Sequence, residues 1–254
     1  MFAQEEYDPS ERAALMAVSL ISSARVIRKL DRVYTPYSAQ YLVDCAGPER
    51  QEEIAQQRPN MTIQDCLEYL VEIAAPKSES EQREFDQRLR MLTVKDCLDC
   101  AFKDGIPKSE HWTHLGCVHK PPPFARLIPR VPMNGRVVEV RTLEDALKLL
   151  KQQPVGAKLH VFSPEIDLVG EEGLYEGPSS PGSRYVGLRD VMITGNGTTK
   201  KGEAFAEVKV LYKKREFFVK VSATRVLASL NGDDSQLTEP TGLLVDFIVP
   251  RFAN

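Results

Sequence analysis

From Ser10 to about Lys108 apolar residues return every three or four positions, whereas from Val137 onward they alternate or run in short apolar blocks. The first pattern belongs to helices and the second to strands. Ser10 reads as the cap of a helix over Glu11 to Arg32, apolar from Ala13 to Ile27, and Thr62 precedes a second helical stretch, Ile63 to Ile73. A charged run covers Ser78 to Arg90, and Thr93 opens a helix over Val94 to Lys103. Thr62 to Glu68 and Thr93 to Asp99 are near copies. They fit either a duplicated helix or two capped amphipathic helices that converged, since Thr caps with acidic first turns are common.

The proline-rich stretch Lys120 to Phe124 favours extended backbone and reads as a linker. Beyond it Val137 to Val140 predicts a strand, and the capping box Thr142-Leu143-Glu144-Asp145 opens a helix to Gln152. Strand-like runs follow at Ala157 to Phe162, Val191 to Thr194, Ala204 to Tyr212, Glu216 to Val221 and Leu243 to Val249. Gly195-Asn196-Gly197 reads as a hairpin turn rather than a phosphate cradle, because strands follow it, and Lys213-Lys214-Arg215 as an exposed turn between strands. The expected class is α+β, a helical domain over residues 1–120 and a β-rich domain over 121–254 forming an antiparallel sheet or open barrel.

Composition narrows the partners. With 33 basic and 36 acidic residues in 254 the net charge is −3, and no long block carries one sign, so bulk electrostatics point to neither nucleic acid nor membrane. No apolar stretch reaches the ~20 residues of a membrane span, and the opening Met-Phe-Ala-Gln-Glu-Glu-Tyr-Asp is too acidic for a signal peptide. Five cysteines, an odd number without a paired framework, suit a reducing compartment, cytoplasmic or nuclear.

Five motifs, in order along the chain, carry a resemblance. Ser38-Ala39-Gln40-Tyr41-Leu42-Val43-Asp44-Cys45 resembles the S-E-Q-x-L-V-D-C element of papain-like cysteine proteases. Gln152-Gln153-Pro154-Val155, continuing through Ala157 to Val161, is similar to that family's N-Q-P-V-S-V-A-I. Gly173 to Pro178 resembles its G-V-F-x-G-P loop. Thr194 to Thr199 with Gly202 and Ala204 to Tyr212 resembles V-G-Y-G-T-x-x-G-x-x-Y-W-I-V-K-N-S-W, and Gly242 to Pro250 resembles the closing G-I-A-x-x-x-S-Y-P. One poorly matching insertion spans roughly 46–92.

The resemblance implies a papain-like fold, helical and β-rich domains flanking a cleft, and it implies where catalytic groups should stand. The nucleophile position falls on Arg12, the general base on Arg189, the orienting asparagine on Val210 and the oxyanion-hole glutamine on Glu6, while the shielding indole becomes Tyr212. Arginine stays protonated and takes no proton from a thiol. A carboxylate at Glu6 repels an oxyanion. The chain is thus identified as a degenerate member of that family, a non-catalytic binding or regulatory module without a cofactor. Its cleft, with Arg12, Arg189 and Tyr212, would be expected to hold an acidic peptide or protein partner.

Two other readings remain open. An active endopeptidase would need a displaced site, and Cys117 with His119, the only close thiol–imidazole pair on a loop-like stretch, points to opposite faces of an extended segment. A zinc-stabilised interaction protein would draw on Cys97, Cys100, His111, His114, Cys117 and His119, although Cys97 and Cys100 also lie on the apolar face of a helix, where buried cysteine is the commoner outcome.

Overall fold

The structure, a computed structural model, describes residues 7–46, 64, 67, 68, 71, 92–112, 125–170, 173–227 and 240–253. It divides into two compact units. Unit 1 gathers residues 1–7, 23–32 and 137–251, and unit 2 gathers 8–22, 33–136 and 252–254. In mid-chain the division falls at 136/137, and both chain ends are shared between units.

Helix α1 (Pro9–Ile27), with residues 9–22 in unit 2 and 23–27 in unit 1, starts two residues before the expected Glu11. Asp8, not Ser10, is its cap: the Asp8 Oδ1 accepts from the Ser10 N–H at 2.8 Å, and the Asp8 N–H donates back to Glu11 Oε2 at 3.3 Å. That reciprocal pair is a capping box, and Pro9 at the first helical position has its φ set for it. Ser10 is buried instead, its hydroxyl accepting from the Leu92 N–H at 3.2 Å.

Helix α2 (Ala39–Cys45) begins at Ser38, whose Oγ accepts from the Tyr41 N–H at 3.0 Å. Helix α3 (Val94–Asp104) opens on the predicted Thr93, where Thr93 and Asp96 form a complete capping box, and ends at Gly105 with φ +74. α2 packs on α3, and Leu42, Val43, Cys45, Cys97, Leu98, Cys100 and Ala101 are buried.

The motif Ser38 to Cys45 is explained by what it buries. Asp44 accepts from Gln40 Nε2 at 2.7 Å and from Trp112 Nε1 at 3.0 Å, and Ser38 Oγ donates to the Trp112 carbonyl at 3.1 Å. A buried carboxylate needs such donors. The Trp112 ring meets Tyr41 edge-on at 5.0 Å.

Unit 1 is built on strands β1 (Gly135–Val140), β2 (Val155–Ser163), β3 (Leu174–Tyr175), β4 (Arg184–Thr198), β5 (Ala204–Tyr212), β6 (Arg215–Ser222) and β9 (Leu244–Phe252). They form a seven-stranded sheet in the order β1-β9-β2-β4-β5-β6-β3. β7 (Val226–Leu227) and β8 (Thr241–Gly242) pair separately. The β2–β4, β2–β9, β4–β5 and β5–β6 pairs are antiparallel; β3 joins β6 in parallel.

Strict alternation buries Ala206, Val208, Val210 and Tyr212 of β5 with Leu159 and Val161 of β2 and Val219 and Val221 of β6 in one core. Helix α4 (Leu143–Leu150), capped by Thr142 as predicted, packs on β2 and β4. The short α5 (Glu165–Leu168) packs on β2, contributing buried Ile166.

Two expectations fail in β4. Gly195-Asn196-Gly197 is not a turn: these residues continue the strand opposite Glu207, Ala206 and Phe205, after a bulge between Ile193 and Gly195. A Cβ on Gly197 would lie 2.9 Å from Phe205 Cζ, so that glycine admits an aromatic ring. The turn falls at 199–202, where the Gly202 N–H donates to the Thr199 carbonyl at 2.9 Å. Lys213-Lys214 does form the β5–β6 turn, with both residues at positive φ, +50 and +54.

The near copy at Thr62 to Glu68 lies outside the described residues except Gln64, Leu67 and Glu68, which are helical. The charged run and the Lys120 to Phe124 linker also lie outside them.

Candidate functional site

Arg12 stands in the first turn of α1, half-buried, and its backbone N–H donates to the Asp8 carbonyl at 3.0 Å. The Asp8 cap fixes where the helix begins, and so it fixes the turn that carries Arg12. Behind Arg12 the helix buries Ala13, Ala14, Ala17, Leu20 and Ile21. Glu6 lies outside the described residues.

Arg189 belongs to unit 1, where it is the sixth residue of β4 and pairs with Leu159 of β2. Its Nη1 donates to the Leu188 carbonyl at 3.1 Å. Gly187, two residues earlier, has φ +120, a backbone that residues with a Cβ hold only under strain, and it leaves room for the guanidinium: a Cβ there would lie 3.4 Å from Nη1.

Val191 pairs with Val210, so by alternation Arg189, Val191, Val210 and Tyr212 share one face of neighbouring strands. Arg189 and Val210, to which the resemblance assigns the base and orienting positions, thus share this face in unit 1. Neither has the chemistry of those roles. Val210 is fully buried and offers neither donor nor acceptor. Tyr212 is enclosed in the sheet core rather than lining an open surface, and the Lys213 ammonium sits 5.0 Å from its ring centroid.

Sequence reasoning passed over a second group beside Arg189. His160 of β2 is buried, and its Nδ1 lies 3.0 Å from the hydroxyl of half-exposed Tyr185. Burial holds the imidazole pKa below its ordinary value, partly opposed by Asp246, which is itself paired with Lys158 at 3.2 Å. Burial also raises the Tyr185 phenol, and the Arg189 charge counteracts it. A neutral imidazole bonded to a phenol is a proton-accepting arrangement, yet nucleophilic catalysis needs a thiolate beside it. The three cysteines among the described residues, Cys45, Cys97 and Cys100, are buried thiols outside any disulfide. The signal that could have found His160 was its place between Leu159 and Val161 in an otherwise largely apolar strand, where only Lys158 is also polar from Ala157 to Phe162.

Of the metal candidates, Cys97 and Cys100 point into the packing of α3, and His111 is partly exposed beside Glu110 at 3.6 Å. Among the described residues no group of histidine, cysteine or carboxylate side chains is arranged to hold a metal ion. His114, Cys117 and His119 lie outside the described residues. No helix among the described residues is long and apolar enough to cross a membrane.

Comparison with known structures agrees with this architecture. Over 98% of this chain and 92% of the other, it superposes on the bromelain protease from Ananas comosus in complex with the E64 inhibitor, with a TM-score of 0.59 at 13% identity. The Carica candamarcensis cysteine protease CMS1MS2 in complex with E-64 gives 0.55 at 14% identity, over 99% and 92%. At such identities the likeness establishes the papain-like fold and nothing of the chemistry.

The sequence relatives point elsewhere than the protease family that the motifs suggested. The family model of the HEAT-INDUCED TAS1 TARGET N-terminal domain matches residues 2–134, just over half of the chain. Protein HEAT-INDUCED TAS1 TARGET 1 of Arabidopsis thaliana is 55% identical over 252 residues, 98% of this chain and 90% of the relative. Protein HEAT-INDUCED TAS1 TARGET 4 of the same plant is 53% identical over 254 residues, again 98% and 90%. None of these names describes a protease. On a papain-like fold, then, this chain belongs to the HEAT-INDUCED TAS1 TARGET family.

Proposed function

We propose that the chain uses the papain-like fold without its chemistry, as a binding or regulatory module that does not hydrolyse peptides. The observation that carries this reading is the pair Arg189 and Val210. They share one sheet face on adjacent strands, as a base and its orienting amide would, but they hold a permanent cation and an isopropyl group. The three described thiols support it, because each is buried. The ligand class we assign is an acidic peptide, since the arginines at the former nucleophile and base positions, Arg12 and Arg189, suit bidentate capture of carboxylates. Free thiols also support a reducing compartment, cytoplasmic or nuclear.

The test is direct. Purified protein is incubated with the epoxide E-64 and with a panel of fluorogenic peptides, and its binding of Glu-rich peptides is followed by fluorescence polarisation. We expect no covalent adduct and no turnover, with binding weakened several-fold by Arg189→Ala and by Arg12→Ala separately. Stoichiometric E-64 labelling at any cysteine, with turnover that the label abolishes, would falsify the non-catalytic reading. Binding unchanged in both variants would remove the ligand assignment alone.

A further inference from the structure

The sequence holds three places where a hydroxyl residue stands directly before proline: Thr35-Pro36, Ser163-Pro164 and Ser180-Pro181. Proline-directed protein kinases read such a dipeptide, because proline brings no N–H that would be left unpaired in the pocket after the acceptor. They also need a hydroxyl within reach and a chain that can be drawn out. The structure treats the three differently. Thr35, in unit 2, is half-buried, its Oγ1 donating to the Val33 carbonyl at 3.3 Å and its carbonyl accepting from Ser22 Oγ at 2.8 Å. The Pro36 carbonyl accepts from the Ser109 N–H at 2.9 Å, so the backbone is tied on both sides of the bond between them. Ser163, in unit 1, ends β2 in register with Arg184 of β4, and its Oγ donates to Asp167 Oδ2 at 3.3 Å.

Ser180 is set differently. It opens a turn in which the Ser183 N–H donates to the Ser180 carbonyl at 3.0 Å, and Pro181 holds the position where its fixed φ suits such a turn. Ser179, Ser180, Pro181 and Gly182 are all exposed. Beyond that one backbone bond, the turn is anchored through a single carboxylate. Glu165, the first residue of α5, accepts with Oε1 from the Ser179 N–H at 3.1 Å, from Ser179 Oγ at 3.0 Å and from Ser183 Oγ. Ser183 Oγ accepts in turn from the Ser179 N–H at 3.2 Å and the Ser180 N–H at 3.1 Å. Two of the three serines thus give their hydroxyls to Glu165. The Ser180 hydroxyl meets Ser183 Oγ at 3.5 Å, the outer edge of hydrogen-bond distance. Exposed loop tips of this kind open at little cost.

We propose that Ser180 is the phosphoacceptor of a proline-directed serine/threonine kinase, and that its phosphate releases the 179–183 turn from Glu165. The co-reactant is ATP. Ser180 Oγ forms a bond to the γ-phosphorus, the bond from that phosphorus to the β,γ-bridging oxygen breaks, ADP leaves, and the hydroxyl proton passes to the kinase's base. The product sets a charge of about −1.5 to −2 one hydroxyl away from the Glu165 carboxylate, where like-charge repulsion opposes the bonds that converge on Oε1. Residues 165–188 carry Glu165, Asp167, Glu171, Glu172 and Glu176 against a lone Arg184, so repulsion outweighs capture of the phosphate by a cation. Lys213, which reaches α5, is held by Asp167 at 2.7 Å. Neither Ser180 nor Glu165 enters the function proposed above, so the site goes beyond it.

The purified full chain is incubated with ATP, magnesium and a recombinant mitogen-activated protein kinase, and phosphate uptake is mapped by mass spectrometry beside free peptides carrying the Thr35, Ser163 and Ser180 segments. Each rate is taken relative to that of its peptide. We expect folded protein to be modified at Ser180 at least ~10-fold faster than at Thr35 or Ser163, whose backbones must first break their bonds. Pro181→Ala should slow uptake at Ser180 by a similar factor with an unaltered circular dichroism spectrum, and Ser180→Ala should abolish it there. In the modified protein, amide exchange across 179–183 should be at least ~10-fold faster than before modification. Glu165→Gln keeps an acceptor without the charge, so it should remove most of that acceleration. Uptake at Ser180 no faster than at the other two sites, or as fast in Pro181→Ala as in wild type, overturns the acceptor assignment. Exchange across 179–183 that the phosphate leaves unchanged or slows overturns the release.

Discussion

Replacing Tyr175 with Phe removes one oxygen atom from the middle of unit 1. That oxygen accepts from the Phe162 N–H at 2.8 Å and donates to the His160 carbonyl at 3.0 Å, at the point where the β2–β4 register shifts between Val161 and Phe162. The His160 N–H donates to the Leu243 carbonyl, so this edge of β2 faces away from β4 and has run past its last pairing with β9, Leu159 with Leu244; there the Tyr175 hydroxyl satisfies the exposed backbone groups. Tyr175 is buried, and burial raises its phenol well above the ordinary value, so the group stays a neutral donor at any working pH. In the variant the Phe162 N–H loses its partner at about 1–3 kcal/mol, and the carbonyl loses a donor at a smaller cost, for a total of about 2–3 kcal/mol. For a chain of this size that corresponds to a fall in Tm of about 5–10 °C. Calorimetry and urea unfolding measure the stability, and amide hydrogen exchange at Phe162 reads the local effect. A loss below about 0.5 kcal/mol, with the Phe162 amide as protected as in wild type, would refute the role assigned to the two Tyr175 bonds.

Lys29 closes α1 at φ +59, so Lys29→Gly should raise stability by about 1 kcal/mol in urea unfolding; a loss of stability would contradict that left-handed turn. His160 has a folded pKa held below its ordinary 6.5 by burial. The unfolded chain therefore binds more protons, and the stability it contributes is present above about pH 6.5 and is lost as pH falls through the folded pKa. His160→Gln should flatten the Tm-against-pH curve on that acid side, and an unchanged curve counts against the buried neutral imidazole. Cys45, Cys97 and Cys100 should resist a thiol-specific disulfide reagent in the native protein, and all five cysteines should react once it is denatured; fast native labelling at any of these three contradicts their burial.

Local chemistry was legible wherever neighbours in sequence decide it. Thr93 and Thr142 cap helices where their patterns place them, and β5 occupies Ala204 to Tyr212 as its alternation requires. Asp8 displaced Ser10 as a cap because Ser10 is needed by Leu92, 82 residues away, a partner no local pattern contains. Gly195-Asn196-Gly197 has turn composition, but its glycines serve a bulge and a close ring across the sheet, which tertiary context decides. Of the candidate site, the strand alternation of β5 made the face of Val210 readable, the face that Arg189 shares. It did not reveal the His160–Tyr185 contact, because a cross-strand pair at a shifted register leaves no spacing to read.

The bond from Trp112 Nε1 to buried Asp44 has an optical consequence. The chain holds one tryptophan, and it sits in unit 2 against Tyr41, so intrinsic fluorescence excited at the indole band reports that unit alone. Most of the sheet signal in far-ultraviolet circular dichroism comes from unit 1. Following both signals through one denaturant titration turns the molecule into its own two-channel recorder, in which separated transitions mean that the halves unfold independently and coincident ones mean that they unfold as one.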